Sequence, residues 1–204
     1  MSPAPETLPK AGDAIDRLRQ DIVFTDTLRG QTLTFHSTWG IFSPKGVDEG
    51  TRLLLDFIEV NNADDCLDLG CGYGPIGLTL ARLAPGGRTL MVDKDFMAVE
   101  YANRNAALNR IDNAEAVLSN AFQHIGERQF DLIASNVPAK VGKEMLGIML
   151  HDAHAHLRPG GRIYVVTITG LRQLFKRELT RVFGNYDKIK QGRTYTVAMA
   201  QKTA

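Results

Sequence analysis

Cysteine is scarce in this sequence. Cys66 and Cys71 are the only two cysteines among 204 residues. Two cysteines are too few for a disulfide scaffold or a four-cysteine zinc site, and such sparse use is typical of proteins in a reducing cytosol. A chain of this length buries about 70% of the surface that its unfolded form exposes, so its core needs neither disulfides nor a metal.

A strong charge of either sign is also lacking. The chain has 24 basic and 23 acidic residues, which leaves a net charge of +1. Any nucleic-acid contact must therefore come from a local basic patch, because the molecule as a whole offers no strong positive field.

Long hydrophobic runs and a secretory leader are absent as well. Residues 1–6, Met-Ser-Pro-Ala-Pro-Glu, have no basic start and no apolar stretch after it. The longest apolar runs, such as residues 163–168, are far too short to cross a bilayer. We therefore expect a cytoplasmic protein without a membrane partner.

The composition predicts one domain behind a short tail. Pro3, Pro5 and Pro9 lie in a segment with little apolar content, which predicts a flexible tail over residues 1–12 because such a segment cannot offset its ordering entropy. Residues 13–204 are predicted to form a single domain. Within it, residues 13–47 form an N-terminal extension and residues 48–204 an α/β core.

The extension is predicted to hold a short helix and a hairpin. Ile15, Leu18 and Ile22 recur at helical spacing behind Asp13, a candidate N-cap. Apolar positions then largely alternate from residue 28 to residue 41 around the turn pair 30–31, which is typical of a β-hairpin.

The core is predicted to be a parallel sheet with helices on both faces, because short apolar runs alternate with amphipathic stretches. A helix over 51–60 precedes it. The predicted strands cover 66–69, 88–92, 114–118, 130–134 and 162–168, and the predicted helices cover 75–84, 97–109, 142–157 and 171–182. Two β-rich runs, 186–189 and 194–200, then follow each other around a turn, which predicts a terminal hairpin in place of another crossover helix.

A glycine-rich turn is the clearest functional signal. Residues 68–77 read Asp-Leu-Gly-Cys-Gly-Tyr-Gly-Pro-Ile-Gly and join the first core strand to its helix. Glycines there allow positive φ angles and let a ligand approach the main chain. Asp93 ends the second strand, where a carboxylate can accept the hydroxyl hydrogens of a ribose. The pattern predicts a cofactor containing a nucleoside, and residues 72–77 also satisfy the dinucleotide fingerprint, so a nicotinamide cofactor stays possible on the turn alone.

Three features beyond the glycines resemble the class I S-adenosylmethionine-dependent methyltransferases. They are Asp68 before the first glycine, an Asn136-x-Pro138 motif and the terminal hairpin. Residues 40–55, 67–77 and 130–136 also resemble the catalytic domain of small-subunit ribosomal RNA guanine-N2 methyltransferases in a compact, single-domain form. The resemblance implies a Rossmann-like, mostly parallel sheet of seven strands with an antiparallel last strand, preceded by the short β-hairpin extension. It also implies S-adenosyl-L-methionine as cofactor and methylation of an exocyclic guanine amine in ribosomal or other structured RNA.

The resemblance further implies which residues bind the cofactor. Asp68 and the glycines would hold the methionine end, Asp93 the ribose, and Ser119 with its two successors the adenine edge. The full implied set is Asp68, Gly70, Cys71, Gly72, Gly74, Asp93, Lys94, Asn120, Ala121 and Asn136. Cys71 is interpreted as a small residue that the turn tolerates, without thiol chemistry.

The predicted catalytic residues are Asn136, Val137 and Pro138. The lone pair of an exocyclic amine is delocalised into the base, so the amine becomes nucleophilic only when acceptors hold its hydrogens; Asn136 Oδ1 and the Val137 carbonyl can do this. The family has an aromatic residue where this chain has Ala139, which removes a stacking surface for the base.

Four further residues are predicted to bind the substrate. Phe42 and Trp39 are candidates to replace the lost stacking surface, and Lys140 and Lys143 are candidates to contact RNA phosphates. His151, His154 and His156 share a helical segment but have no evident fourth ligand, so we predict no metal site. Alternatives to an RNA methyltransferase are an enzyme acting on a small molecule or protein side chain, an S-adenosylmethionine-binding module without activity, and an NAD-type oxidoreductase.

Overall fold

The computed structural model describes residues 20–203. The predicted tail and most of the predicted first helix, including Asp13, Ile15 and Leu18, lie outside the described residues. Ile22, the last apolar position assigned to that helix, is instead the first residue of strand β1, so the prediction was wrong there. The reason is pairing: Ile22 lies opposite Ser37 in an antiparallel ladder.

The N-terminal hairpin is confirmed. Strands β1 (Ile22–Leu28) and β2 (Gln31–Ser37) form a separate two-stranded antiparallel sheet. Its turn residues are Arg29 and Gly30, with φ angles of 52° and 75°, one position before the predicted pair. Two positive φ angles give the turn a twist that matches the strands. Trp39 and Ile41 lie beyond β2, in the segment that leads to the first helix.

The main sheet has seven strands in the order β5-β4-β3-β6-β7-β9-β8. They are β3 (Cys66–Leu69), β4 (Thr89–Asp93), β5 (Ala114–Leu118), β6 (Phe130–Asn136), β7 (Leu157–Ile168), β8 (Asp187–Gln191) and β9 (Tyr195–Gln201). Strands β3 to β7 pair in parallel, and β9 runs antiparallel to both β7 and β8. The predicted fold class, with its antiparallel last strand, is confirmed.

Among residues 20–203, five α-helices and one 3₁₀ turn precede or connect these strands. They are α1 (Glu49–Phe57), α2 (Pro75–Leu83), α3 (Phe96–Leu108), α4 (Lys143–His156), a 3₁₀ turn (Thr169–Leu171) and α5 (Arg172–Phe183). Within the described range, no helix has the length and apolarity needed to cross a membrane.

Two predicted boundaries shift for reasons of pairing. Strand β7 begins at Leu157, which was predicted to be the last residue of a helix. The strand begins there because Leu157 pairs with Phe130. Strand β6 runs to Asn136, two residues beyond the predicted end, because Asn136 pairs with Val166. The strand therefore carries Asn136 to the carboxyl edge of the sheet.

The sheet separates two hydrophobic clusters. One contains Leu132 and Tyr164 and includes residues of α1, α2, α3 and the hairpin; the other contains Ile133 and Ile163 and includes residues of α4 and α5. Successive strand residues point to opposite faces, so neighbours in β6 and β7 divide between the two clusters.

Two asparagines attach the hairpin to the core. Asn105 in α3 accepts from His36 N at 2.8 Å and donates to the carbonyls of His36 and Tyr73, each at 2.9 Å. Asn109 does the same at Thr34, accepting from its N at 2.9 Å and donating to its O at 2.7 Å. The two side chains, one helical turn apart, thus satisfy the free edge of β2 as another strand would.

Candidate active site

A cavity of about 420 Å³ opens at the carboxyl edge of β3, β4 and β6. The sheet order reverses between β3 and β6, where open α/β sheets bind their ligands. The cavity is lined by the loop after β2, the start of α1 with Asp48 and Thr51, the glycine turn with the start of α2, the residues at the ends of β4 and β5, and the residues around Asn136, together with Ala98 of α3 and Met149 of α4.

The glycine turn forms one wall of the cavity. Gly70 and Gly72 line it with φ angles of 80° and 55°, and a Cβ built on Gly70 meets no atom within 4 Å. Cys71 lines the wall as well, and burial raises the pKa of its thiol well above the usual range, which fits the prediction of an unreactive side chain. Gly74 lies outside the lining; its φ of 96° and its closeness to Leu78 and Met91 make it a packing position.

Asp68 lies behind the turn. Its side chain is fully buried, does not line the cavity, and accepts from Gly77 N through Oδ2 at 2.7 Å. Its Oδ1 has no hydrogen-bond partner among residues 20–203. Burial raises the pKa of Asp68 to about 7, the Gly77 N–H acts against that rise, and the charge of Asp93 adds to it.

Asp93 stands at the end of β4 and lines the cavity. Its Oδ2 accepts from Gly72 N and its Oδ1 from Asp95 N, both at 3.0 Å. Each carboxylate oxygen keeps a second lone pair. The carboxylate is therefore fixed against the glycine turn and can still accept from a ligand. Lys94, its neighbour, also lines the cavity.

A tight turn after β5 forms the far end of the cavity. Ser119 Oγ donates to Ala121 O at 2.7 Å and accepts from His124 N at 3.1 Å, while Ser119 N donates to Asp93 O at 2.9 Å. Ala121 has a positive φ of 51°, and Asn120 is exposed. Asn120 and Ala121 both line the cavity.

Asn136 lines the cavity opposite the glycine turn and is fixed by α1. Its Nδ2 donates to Asp48 Oδ2 at 2.7 Å and to Thr51 Oγ1 at 3.0 Å. Asp48 is also the N-cap of α1 and accepts from Gly50 N and Thr51 N. This role was not predicted: the sequence indicated only a helix over 51–60, whereas the helix begins at Glu49 with Asp48 as its N-cap. No local pattern could have linked Asp48 to a residue 88 positions away.

Backbone contacts hold the rest of the Asn136 motif. Ser135 Oγ donates to Leu69 O at 2.7 Å, which ties β6 to the first residues of the glycine turn. Val137 N donates to Val166 O at 3.0 Å, and Pro138 lines the cavity next to it. The motif is therefore anchored on β3 and β7, on both sides of β6.

The predicted substrate residues separate into two groups. Phe42 lines the cavity with 67% of its surface exposed. Trp39 is 45% exposed and outside the lining, with Lys45 Nζ 4.7 Å from its ring centroid. Lys140 and Lys143 are also outside the lining, and Lys143 instead borders an open groove between α4 and α5.

The three histidines of α4 have separate surroundings. His151 Nε2 lies 3.2 Å from Arg181 Nη1, His154 packs edge-on against Phe183, and His156 stacks on Phe122. Among the residues that the structure describes, no group of three or more His, Cys, Asp or Glu side chains could hold a metal ion.

Comparison with known proteins identifies the family. The family described as Methyltransferase small domain matches residues 32–199. The chain belongs to the methyltransferase small domain family. It is a class I S-adenosylmethionine-dependent methyltransferase, as predicted, and the alternative of an oxidoreductase is not supported.

Two relatives and one solved structure illustrate the membership. The uncharacterized protein YbxB of Bacillus subtilis (strain 168) is 38% identical over 141 residues, which cover 68% of this chain and 70% of YbxB. Ribosomal RNA small subunit methyltransferase C of Hamiltonella defensa subsp. Acyrthosiphon pisum (strain 5AT) is 34% identical over 79% of this chain and 48% of its own length. The T. thermophilus 16S rRNA N2 methyltransferase RsmC, in complex with AdoMet and guanosine, superposes with a TM-score of 0.80 at 30% identity, over 88% of this chain and 50% of that one.

The chain thus spans about half the length of the two rRNA methyltransferases named here. The cavity itself fits the family's cofactor. Gly70 leaves open space where a side chain would stand, and Asp93 keeps free lone pairs at the cavity wall, where they can accept from the hydroxyls of a ribose. Asp68 lies behind the turn and outside the lining, so its part in this fit is to hold the shape of the turn through Gly77 N.

Proposed function

We propose that this methyltransferase acts on an exocyclic amine of guanine in ribosomal or other structured RNA, in the cytoplasm. The observation that supports this most directly is the orientation of the Asn136 amide. Its Nδ2 is occupied by Asp48 and Thr51, so the group that Asn136 offers to a ligand is the acceptor Oδ1. An acceptor at this place suits a substrate atom that carries hydrogen, as an amine does.

The cofactor would lie along the glycine turn. Gly70, Cys71 and Gly72 would contact its methionine end, Asp93 with Lys94 its ribose, and Asn120 with Ala121 its adenine, since these residues line the cavity in this order along the strand ends. Gly74 and Asp68 would act from behind the turn by fixing its shape, as their packing and the Gly77 hydrogen bond indicate. When bound, the cofactor supplies an electrophilic methyl group.

Catalysis would rest mainly on positioning. Asn136 Oδ1 and the Val137 carbonyl would accept the two hydrogens of the amine and so release its lone pair from the ring. An amine nitrogen held in this way would be placed to attack the methyl carbon that the cofactor supplies; the bond from that carbon to sulfur would break, its electron pair would go to the sulfur, and the proton that the amine loses would pass to water. Because binding already holds both reactants in line, much of the entropy cost of bringing them together no longer adds to the barrier of the reaction.

Phe42 would supply the stacking surface that Ala139 lacks. Its ring is exposed and lies in the cavity lining, whereas Trp39 lies outside the lining, with Lys45 Nζ over its ring. Lys140 and Lys143 follow Asn136 in sequence and, being outside the lining, would contact phosphates next to the target base.

One observation favours a second candidate. Ala139 leaves the motif without an aromatic side chain, which suits an amine or amide on a small molecule or protein side chain better than it suits a planar base. This candidate makes no use of Phe42.

Transfer of a tritiated methyl group tests both candidates. The full chain and labelled S-adenosylmethionine are incubated in separate reactions with ribosomal subunits, naked ribosomal RNA, cytosolic protein or small molecules. Each of these fractions is taken from cells that lack the enzyme. We expect label in RNA, a methylguanosine in its nucleosides by mass spectrometry, and loss of both with Asn136→Ala. Label in protein or small molecules alone would contradict an RNA substrate, and tight cofactor binding without transfer to any fraction would indicate a module without activity.

A further inference from the structure

We propose that Asp48 and Thr51 are positioning residues that lock the amide of Asn136 in one of its two orientations, with Oδ1 toward the methyl acceptor. This inference rests on the proposed function for its catalytic consequence. The lock itself is a property of the free protein and can be measured without a substrate.

The geometry specifies the orientation. Nδ2 of Asn136 lies 2.7 Å from Asp48 Oδ2 and 3.0 Å from Thr51 Oγ1. An ionised carboxylate has no hydrogen to donate, so only the amide nitrogen can face it favourably. The reverse orientation would place two acceptor oxygens against each other.

Asp48 cannot turn away to relieve such a clash, because its carboxylate is already held. Oδ1 accepts from Gly50 N at 2.8 Å and Oδ2 from Thr51 N at 3.2 Å, which makes Asp48 the N-cap of α1. Thr51 is buried, with 4% of its surface exposed. The N-terminus of α1 thus forms a rigid support whose acceptors face Asn136.

The lock matters because the two orientations have opposite effects on an amine. With Oδ1 toward the cavity, Asn136 accepts an N–H and leaves the nitrogen lone pair free to attack. With Nδ2 toward the cavity, Asn136 would donate to that lone pair and compete with the methyl group for it. Asp48 therefore makes the site selective for substrates in which the atom that receives the methyl group bears hydrogen.

Asp48→Asn separates the lock from the helix cap. Asparagine caps helices about as well as aspartate, so α1 keeps its start. The new side chain, however, can present an NH₂ group to Asn136, which then gains by turning its oxygen inward. We expect kcat to fall on the order of 100-fold, the size of loss that misplacement of a catalytic group produces, with cofactor affinity and the melting temperature close to those of the unchanged protein. Asp112→Asn, which removes the same charge at an exposed position outside the cavity lining, is the matched control.

A reciprocal exchange provides the rescue. In Asp48→Asn with Asn136→Asp, the amide at 48 donates to the carboxylate at 136, whose second oxygen again offers an acceptor to the cavity. We expect the kcat of the double variant to be at least tenfold higher than that of Asp48→Asn. Asn136→Asp alone should be inactive, because it places two carboxylates together. An unchanged kcat in Asp48→Asn, or a double variant no more active than the single ones, would overturn the proposal.

Side-chain amide NMR reads the lock directly. The Asn136 NH₂ signals, assigned by their loss in Asn136→Ala, should exchange slowly with water and show contacts to Thr51 in the unchanged protein, and should lose both features in Asp48→Asn. Fast exchange in the unchanged protein overturns the proposal whatever the substrate. If no fraction accepts a methyl group, the proposed function fails and the NMR result alone decides the lock.

Discussion

Asp68 shows how a single buried acid can set a pH dependence. Its pKa is raised to about 7 because burial disfavours the charged form. Between about pH 4 and pH 7 the folded protein therefore holds a proton that the unfolded chain has released. By linkage, the free energy of unfolding falls as the pH rises through this window, by about 1.4 kcal/mol for each unit that separates the two pKa values.

We expect Asp68→Asn to remove this dependence. An asparagine keeps an acceptor for Gly77 N and does not titrate, so the variant should gain stability relative to the unchanged protein as the pH rises from 5 to 8. Urea unfolding at both pH values measures the difference. A difference of equal size at pH 5 and pH 8 would show that Asp68 is ionised in the folded protein throughout.

Phe42 and Trp39 provide a second test at the residue scale. Removing a stacked base partner costs about 1–3 kcal/mol, so Phe42→Ala should raise the KM for RNA about tenfold or more with little change in cofactor affinity. Trp39→Ala should have a smaller effect, because Trp39 lies outside the cavity lining and its ring already contacts Lys45 Nζ. Filter binding and initial rates report both quantities. If both variants keep the affinity and turnover of the unchanged protein, neither aromatic stacks on the substrate.

Sequence patterns locate residues of this site better than they locate their partners. The Asn136-x-Pro138 motif, two residues after a predicted strand, indicated Asn136 through the family resemblance, since such a motif is contained in a few adjacent residues. Its contact with Asp48 depends on how α1 packs across β6, and no periodicity contains that information. Likewise, the glycine spacing could not distinguish Gly70, whose Cβ position is open, from Gly74, which packs against Leu78.

Among the elements, the attachment of the hairpin to α3 gives a third expectation. Asn105 is fully buried and makes three hydrogen bonds to the backbone of His36 and Tyr73. Asn105→Ala would leave these groups unpaired, and an unsatisfied buried group costs about 1–3 kcal/mol. We therefore expect a loss of about 2–4 kcal/mol in the free energy of unfolding, with faster hydrogen exchange in β2.

Asn103→Ala is the control on the same helix. Asn103 accepts from Ala116 N and donates to Ala116 O, both at 2.8 Å, so it attaches α3 to β5 and not to the hairpin. Its loss should destabilise the protein without changing exchange in β2. Equal effects of the two variants on β2 would mean that α3 as a whole, and not Asn105, holds the hairpin.

Element boundaries were predictable where a local signal marks them. Pro75 opens α2 as predicted, because proline suits the first helical turn. The start of β7 was missed because residues 158–161, Arg-Pro-Gly-Gly, indicate a loop, although Leu157 already pairs with Phe130 before a bulge. Pairing with a distant strand decided that boundary, against the local propensity.

At the scale of the molecule, the two edges of the sheet carry different groups. The carboxyl edge holds the cavity, while Asp64, Asp65 and Asp131 lie at the amino ends of β3 and β6. Arg158 pairs with Asp65 at 2.8 Å and with Asp131, and Arg162 pairs with Asp64 at 2.7 Å. Asp131 also accepts from Asp65 N at 2.9 Å, so the pairs join β3, β6 and β7.

We expect Arg158→Met to separate stability from activity. The side chains of Arg158, Asp65 and Asp131 are 41%, 35% and 31% exposed, so solvent screens both ion pairs, and their loss should lower the free energy of unfolding by only about 1–2 kcal/mol. Cofactor affinity and kcat should stay unchanged, because the two pairs lie at the edge of the sheet opposite the cavity. A kcat that falls with this variant would mean that the strand ends at the cavity depend on the amino-edge pairs.

The stability that Arg158→Met loses should depend on pH with the opposite sign to the dependence that Asp68 produces. For Asp65, burial raises the pKa, but hydrogen bonds from Arg158 and the Arg88 backbone outweigh it and leave the pKa below the usual 3.8. A lowered pKa gives stability that is present above about pH 4 and is lost as the pH falls below it. The cost of Arg158→Met should therefore be full at pH 7 and shrink toward pH 3, whereas the effect of Asp68→Asn should grow between pH 5 and pH 8. Urea unfolding of both variants across pH 3 to 8 distinguishes the two acids, of which Asp65 directly precedes β3 and Asp68 lies within it.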